Sequence, residues 1–186
     1  MASIFLRLSD LAPVKESVTS HEWCGNTFVL LENREGMGTL RGFSYFDGEA
    51  ERTRTLDLSG AALYDALPLA LRALPFGAGV SRNILLASQI LSNRLLPVEV
   101  AGATVSVAGA EAVATGIGPV EAWKVEVKHA AGADRLWFEK GAPNRLLRWE
   151  QADGGRYVLH SAKRLAYWTL HNPGDEKVLA EAPDLR

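Results

Sequence analysis

A single cysteine, Cys24, in 186 residues leaves no partner for an internal disulfide and no cysteine cluster for zinc. The four histidines stand at 21, 129, 160 and 171, and none forms a His-x-His or His-x-x-x-His pair. No metal ligand set and no cofactor are therefore expected. A run of about 20 apolar residues is also missing, so no integral membrane segment is expected. Met1–Leu8 has no basic region ahead of an apolar stretch, and no signal peptide is expected in the chain as given. Gly77-Ala78-Gly79 lacks the third glycine and the strand-then-helix setting of a dinucleotide loop. There is no Gly-x-Ser-x-Gly elbow. A formal net charge of -2 supplies no field that would hold nucleic acid, so no nucleic-acid partner is expected.

What is present is β-forming. Hydrophobic residues make up 47% and charged residues 23%, as in a globular domain, and one domain is expected over 1–186. Four of the five tryptophans fall between Trp123 and Trp168. There the runs Ala122–His129, Asp134–Lys140, Arg145–Gln151 and Arg156–Ser161 have strand length, with glycine or proline between them. The first half adds Ala2–Leu8, Val14–Ser20, Glu22–Leu31, Thr39–Phe46 and Glu49–Leu58, with hairpin loops expected at Asn33–Gly38 and at Asp47-Gly48. Glu49–Leu58 is polar on both faces for most of its length, the mark of an edge strand or a wet surface. One helix is expected after Ser59, carrying Leu63, Leu67, Leu71 and Leu74 on one side, kinked at Pro68 and ended by Pro75. Arg82–Leu96 fits helix or buried strand, and its β-rich surroundings favour strand. The tail 171–186 has little periodicity and is expected to be loosely held. The fold class is mainly β: a single curved antiparallel sheet, an open half-barrel, around one or two short helices.

Three groups of residues could carry function. On an extended strand Glu22 is the neighbour of Cys24, and a carboxylate raises a thiol's pKa, so Cys24 is expected to be a small packed side chain. Glu22, Glu49 and Glu51, with Arg41, Arg52 and Arg54, come from the first strands. They could form a carboxylate and guanidinium patch that binds an anion or runs acid/base chemistry, or simply pair across strands. Trp123, Trp137, Trp149, Tyr157 and Trp168 could line a pocket for an apolar ligand or form the core beneath the helix.

His21-Glu22-Trp23-Cys24-Gly25-Asn26-Thr27-Phe28, with Phe43-Ser44-Tyr45-Phe46-Asp47-Gly48-Glu49, resembles an uncharacterised family of exported bacterial β-proteins. The stretches Leu136-Trp137-Phe138 through Pro143, Leu146 to Trp149 and Tyr157 to Ser161 look like its second half. That family is similar in fold to the LolA/LolB lipoprotein carriers, in which the concave face of a half-barrel holds acyl chains. The resemblance implies a periplasmic or secreted protein. Two functions follow as expectations. The first is a binding or carrier module for a hydrophobic or amphipathic small molecule, with the five aromatics lining the apolar part and Arg52 and Arg54 meeting a polar head. The second is a metal-independent hydrolase or lyase using Glu22, Glu49 or Glu51. The residues leave both open, and they fix no oligomeric state.

Overall fold

The computed structural model describes residues 1–23 and 25–185, so the expectation for Cys24 lies outside the described residues. The chain is mainly β, with short helical pieces, and its strands form two sheets. The first is a five-stranded meander in sequence order: β1 (Ala2–Leu6), β2 (Pro13–Glu22), β3 (Gly25–Arg34), β4 (Met37–Ser44) and β5 (Glu51–Asp57). Period-two patterning sets its faces. Val18, Val29, Leu31 and Leu40 are buried on one side, while Phe28 and Phe43 oppose each other on the exposed side. Glu35 and Gly36 form the two-residue turn between β3 and β4, both with positive φ (54° and 94°), which is the twist-matched hairpin geometry.

The Asp47-Gly48 turn differs from its expected two-residue form. The loop spans residues 45–50, with Gly48 and Ala50 at positive φ, and Glu49 sits in it rather than on a strand. Side chains hold this wider loop. Ser44 Oγ donates to Glu49 Oε2 at 2.6 Å and accepts from the Phe46 N–H at 3.2 Å. The strand that follows, β5, is an edge strand, as its two polar faces require.

The expected sheet is divided in two at a corner, residues 58–60, where Leu58 is buried and Gly60 takes φ 68°. The second sheet contains β6 (Ala61–Leu63), β7 (Ser81–Ala87), β8 (Val100–Thr115), β9 (Gly118–His129), β10 (Gly132–Glu139), β11 (Leu146–Glu150) and β12 (Arg156–Val158). It curls into an open half-barrel, antiparallel throughout except for the parallel β6–β7 pair.

The helix expected near 61–74 is much shorter. Leu63 ends a strand, and tight turns at Tyr64–Ala66 and Leu71–Ala73 flank a four-residue helix, α1 (Leu67–Ala70). Pro68 occupies the first turn of α1, where its missing N–H costs nothing. The leucine spacing still has its packing effect: Leu67 and Leu71 are buried among Val105, Val125, Leu136 and Phe138. Of Arg82–Leu96, only the part within β7 is strand. Residues 88–99 form a compact loop closed at its neck by the Ser88 N–H to Glu99 C=O bond at 2.8 Å. Its Ile90, Leu95 and Val98 plug the inner face of the first sheet, burying apolar area without pairing as a strand.

Near the C-terminus, a turn at Tyr167–Thr169 precedes the exposed helix α2 (Glu176–Glu181). Arg145 Nη1 donates to the Leu185 carbonyl at 2.8 Å, and Lys163 Nζ donates to the Leu179 carbonyl at 2.6 Å. Among the described residues no helix is long and apolar enough to cross a membrane.

Candidate functional site: a cavity beside a buried carboxylate

The β9–β10 hairpin turns through Ala130-Ala131, pairing His129 with Gly132. Two residues further on, Asp134 points to the same side as Leu136 and Phe138 and is fully buried. A charged side chain there requires partners, and Asp134 has four. Its Oδ2 accepts from the Tyr64 hydroxyl at 2.7 Å and from Trp149 Nε1 at 2.8 Å. Its Oδ1 accepts from the Ala152 N–H at 2.9 Å and from His129 Nε2 at 3.1 Å. The Ala131 N–H lies 3.3 Å from His129 Nδ1, which assigns that nitrogen as acceptor and Nε2 as donor. Gln151 Nε2 in turn donates to the Tyr64 oxygen at 3.1 Å. Burial, and then the bond to Asp134, push the Tyr64 hydroxyl well above the ordinary tyrosine pKa, so it stays a donor. None of the four donors is a lysine or arginine.

Tyr64 and His129 also line a cavity of about 430 Å³. Leu86, Leu96, Pro97, Ala101, Ala130 and Ala131 supply its apolar lining. Ser88, Gln89, Glu99 and Asp153 supply polar groups, and no lysine or arginine lines it. Ser88, Gln89, Leu96, Pro97 and Glu99 all belong to the loop 88–99, so this loop plugs the first sheet and walls the cavity. A second cavity of about 380 Å³ lies against α1 and includes Leu67, Leu71, Ile84 and Arg82.

The expected aromatic wall is not continuous. Trp123 stacks on Phe76, with ring centroids 6.4 Å apart, at the edge of the half-barrel core. Trp149 packs against Tyr64 and Tyr157 on that same side. Trp137 belongs to the opposite face of the sheet: its Nε1 donates to Glu111 at 2.6 Å, and Lys124 and Arg148 lie over its ring. Trp168 sits on the exposed turn with Tyr167. None of the five lines the larger cavity, and Trp149 alone belongs to the network beside it.

The first-half residues are likewise separated. Arg41 lies on the exposed face of the first sheet, paired with Glu32 at 2.9 Å. Arg52 and Arg54 share the opposite face of the edge strand with Leu56, and Arg52 donates to the Gly48 carbonyl at 3.2 Å. Glu51 lies in register with Phe43 on the exposed face. Glu22 accepts from Asn93 Nδ2 at 3.3 Å. Glu49 is committed to the structure: Arg94, the Leu95 N–H at 2.8 Å and Ser44 all donate to it.

The patterns read from the sequence do not single out Tyr64, Asp134 or a second buried acid, Glu16, and they place His129 only among four scattered histidines. The available signal was a carboxylate in phase with apolar neighbours, as in Asp134-x-Leu136-x-Phe138 and Glu16-x-Val18. Both Glu16 carboxyl oxygens are sealed from solvent and take no donor among the described residues. Burial first, and then the charge of neighbouring Asp65, push Glu16 up to about 9, so it holds a proton. Asp65 itself accepts from the N–H groups of Ile90 (2.7 Å) and Leu91 (2.9 Å).

No family model, curated protein or solved structure matches this chain.

Proposed function

We propose that the protein is a binding or carrier module for a small apolar or amphipathic molecule, seated in the cavity between the loop 88–99 and the β9–β10 hairpin. The observation that carries this reading is an apolar, alanine-rich wall beside Tyr64 and His129, whose polar atoms are already engaged by the protein. Its volume of about 430 Å³ suits a small organic ligand. The Tyr64 hydroxyl and both His129 ring nitrogens are engaged internally, so these residues shape the site and hold it in place. This relocates the ligand from the tryptophan wall and Arg52/Arg54 to the cavity beside the β9–β10 hairpin. An exported location remains part of the proposal on the strength of the resemblance, and cell fractionation tests it.

The binding test uses octanol as an uncharged probe, followed by calorimetry and by the fluorescence of Trp149, whose ring centroid lies 5.6 Å from that of Tyr64. Octanol is expected to bind the native chain and to lose binding in Ala101→Trp, which fills the cavity from β8. Equal binding by both proteins would place the ligand elsewhere.

A further inference from the structure

We infer that the ligand of this cavity carries a positive charge, as a primary or quaternary amine on an apolar body; the inference rests on the cavity reading above. Three observations converge on it. The first is the lining itself, which includes the carboxylates Glu99 and Asp153 and no lysine or arginine. The second is the state of those carboxylates. Glu99 makes no side-chain hydrogen bond or ion pair among the described residues, and Asp153 has only the Gly155 N–H at 2.9 Å. Neither acid therefore has an internal cation to neutralise it.

The third observation lies behind the wall. Asp134 is fully buried, and its four donors are a phenol, an indole, a backbone amide and an imidazole Nε2–H whose other nitrogen is an acceptor. These donors satisfy its oxygens, and no lysine or arginine is among them. Three cavity-lining residues, Tyr64, His129 and Ala152, touch it, so its field reaches the cavity through little intervening solvent. Asp153 adds to the same field, since its charge also acts on the Tyr64 hydroxyl. A cation entering this space meets the carboxylates of Glu99 and Asp153, with Asp134 behind the wall, whereas an anionic head group meets the same groups as repulsion. Acyl carboxylates are thus the class this cavity disfavours. An alkylamine can lay its chain along Leu86, Leu96 and Ala101 and place its ammonium toward Glu99 and Asp153.

The test compares octylamine, octanol and octanoate, three probes with the same chain, by calorimetry at pH 7 and low salt. Octylamine is expected to bind about tenfold more tightly than octanol, the size of one partly desolvated ion pair, and octanoate more weakly than either. Glu99→Gln combined with Asp153→Asn should remove most of the octylamine advantage over octanol, read as the ratio of the two affinities within the same protein. Both side chains are exposed, so the double variant is expected to melt with the native chain. Added salt should erode the octylamine advantage alone. Equal affinity for octylamine and octanol, or a preference for octanoate, overturns the charge inference and leaves the cavity reading standing. If none of the three binds, or if Ala101→Trp changes nothing, the cavity reading falls and this inference falls with it.

Discussion

Tyr64 donates its hydroxyl to Asp134 Oδ2 at 2.7 Å across 70 residues of sequence, tying the turn before α1 to the heart of the half-barrel. Removing the two partners should have very different effects. Tyr64→Phe deletes one donor of four and is expected to cost about 1 kcal/mol. Asp134→Ala leaves the hydroxyl, the indole, the imidazole and the Ala152 amide without their acceptor, and should cost about 3–5 kcal/mol. Urea unfolding followed by tryptophan fluorescence measures both, and the larger loss must belong to the aspartate.

Glu16 should give stability an unusual slope with pH. Burial, followed by the charge of Asp65, keeps its carboxyl protonated in the folded chain up to about 9, against 4.5 for an ordinary glutamate. The folded state therefore holds the extra proton between those values. The associated stability is complete below about 4.5 and is lost as pH rises towards 9. Glu16→Gln removes this dependence while keeping a donor beside Asp65. It should match the native chain near pH 4 and exceed it by up to about 3 kcal/mol near pH 7, at about 1.4 kcal/mol per unit. Urea titrations across that range decide it; a native chain that gains stability from pH 5 to 8 relative to the variant would contradict the assignment.

Glu49 should behave oppositely. Burial pushes its carboxyl up, but the bonds from Ser44, the Leu95 N–H and Arg94 together outweigh that and hold it below the usual carboxylate range. Its contribution is present above the ordinary carboxylate pKa and lost as pH falls through the depressed value. Glu49→Gln should speed hydrogen exchange at the Leu95 amide at neutral pH, with the native chain approaching the variant in acid.

Gly116 makes a sharper steric prediction. A Cβ there would lie 2.1 Å from the His160 carbonyl oxygen, a backbone atom that cannot rotate away. Gly116→Ala should cost about 1–3 kcal/mol and loosen the bond from the Gly116 N–H to the Leu159 carbonyl. Gly118→Ala and Gly141→Ala strain positive φ values instead, with open space around them. Thermal melts of Gly116→Ala and of a surface alanine control should separate by several degrees.

The strand content was legible because it is written in period two: Thr27, Val29 and Leu31 alternate with Phe28, Leu30 and Glu32, and no long-range fact is needed to read that. The division into two sheets was not. It depends on Leu58 turning inward at a three-residue corner, and nothing local distinguishes that corner from another hairpin. The helix near 61–74 is shortened for a related reason. Leu63, Leu67 and Leu71 do face the interior, but tertiary packing satisfies the same spacing with a strand end and tight turns. The candidate site was largely hidden. Asp134 and Gln151 meet at the end of the β10–β11 pairing, but Tyr64 reaches them across 70 residues only through tertiary packing, and the tryptophans point to different faces.

The loop 88–99 has a consequence for the order in which the chain assembles. Its backbone is satisfied largely by groups that arrive from elsewhere: Asp65 takes the Ile90 and Leu91 amides, Glu49 takes the Leu95 amide, and Thr27 Oγ1 donates to the Asn93 carbonyl. Those partners sit 25 to 66 residues away along the chain. The loop has nothing to dock onto until the meander and the chain corner are both in place, so it should close late in folding and open first on the way out. Wherever a ligand rests on Leu96 and Pro97, its binding and this last folding step would draw on the same free energy.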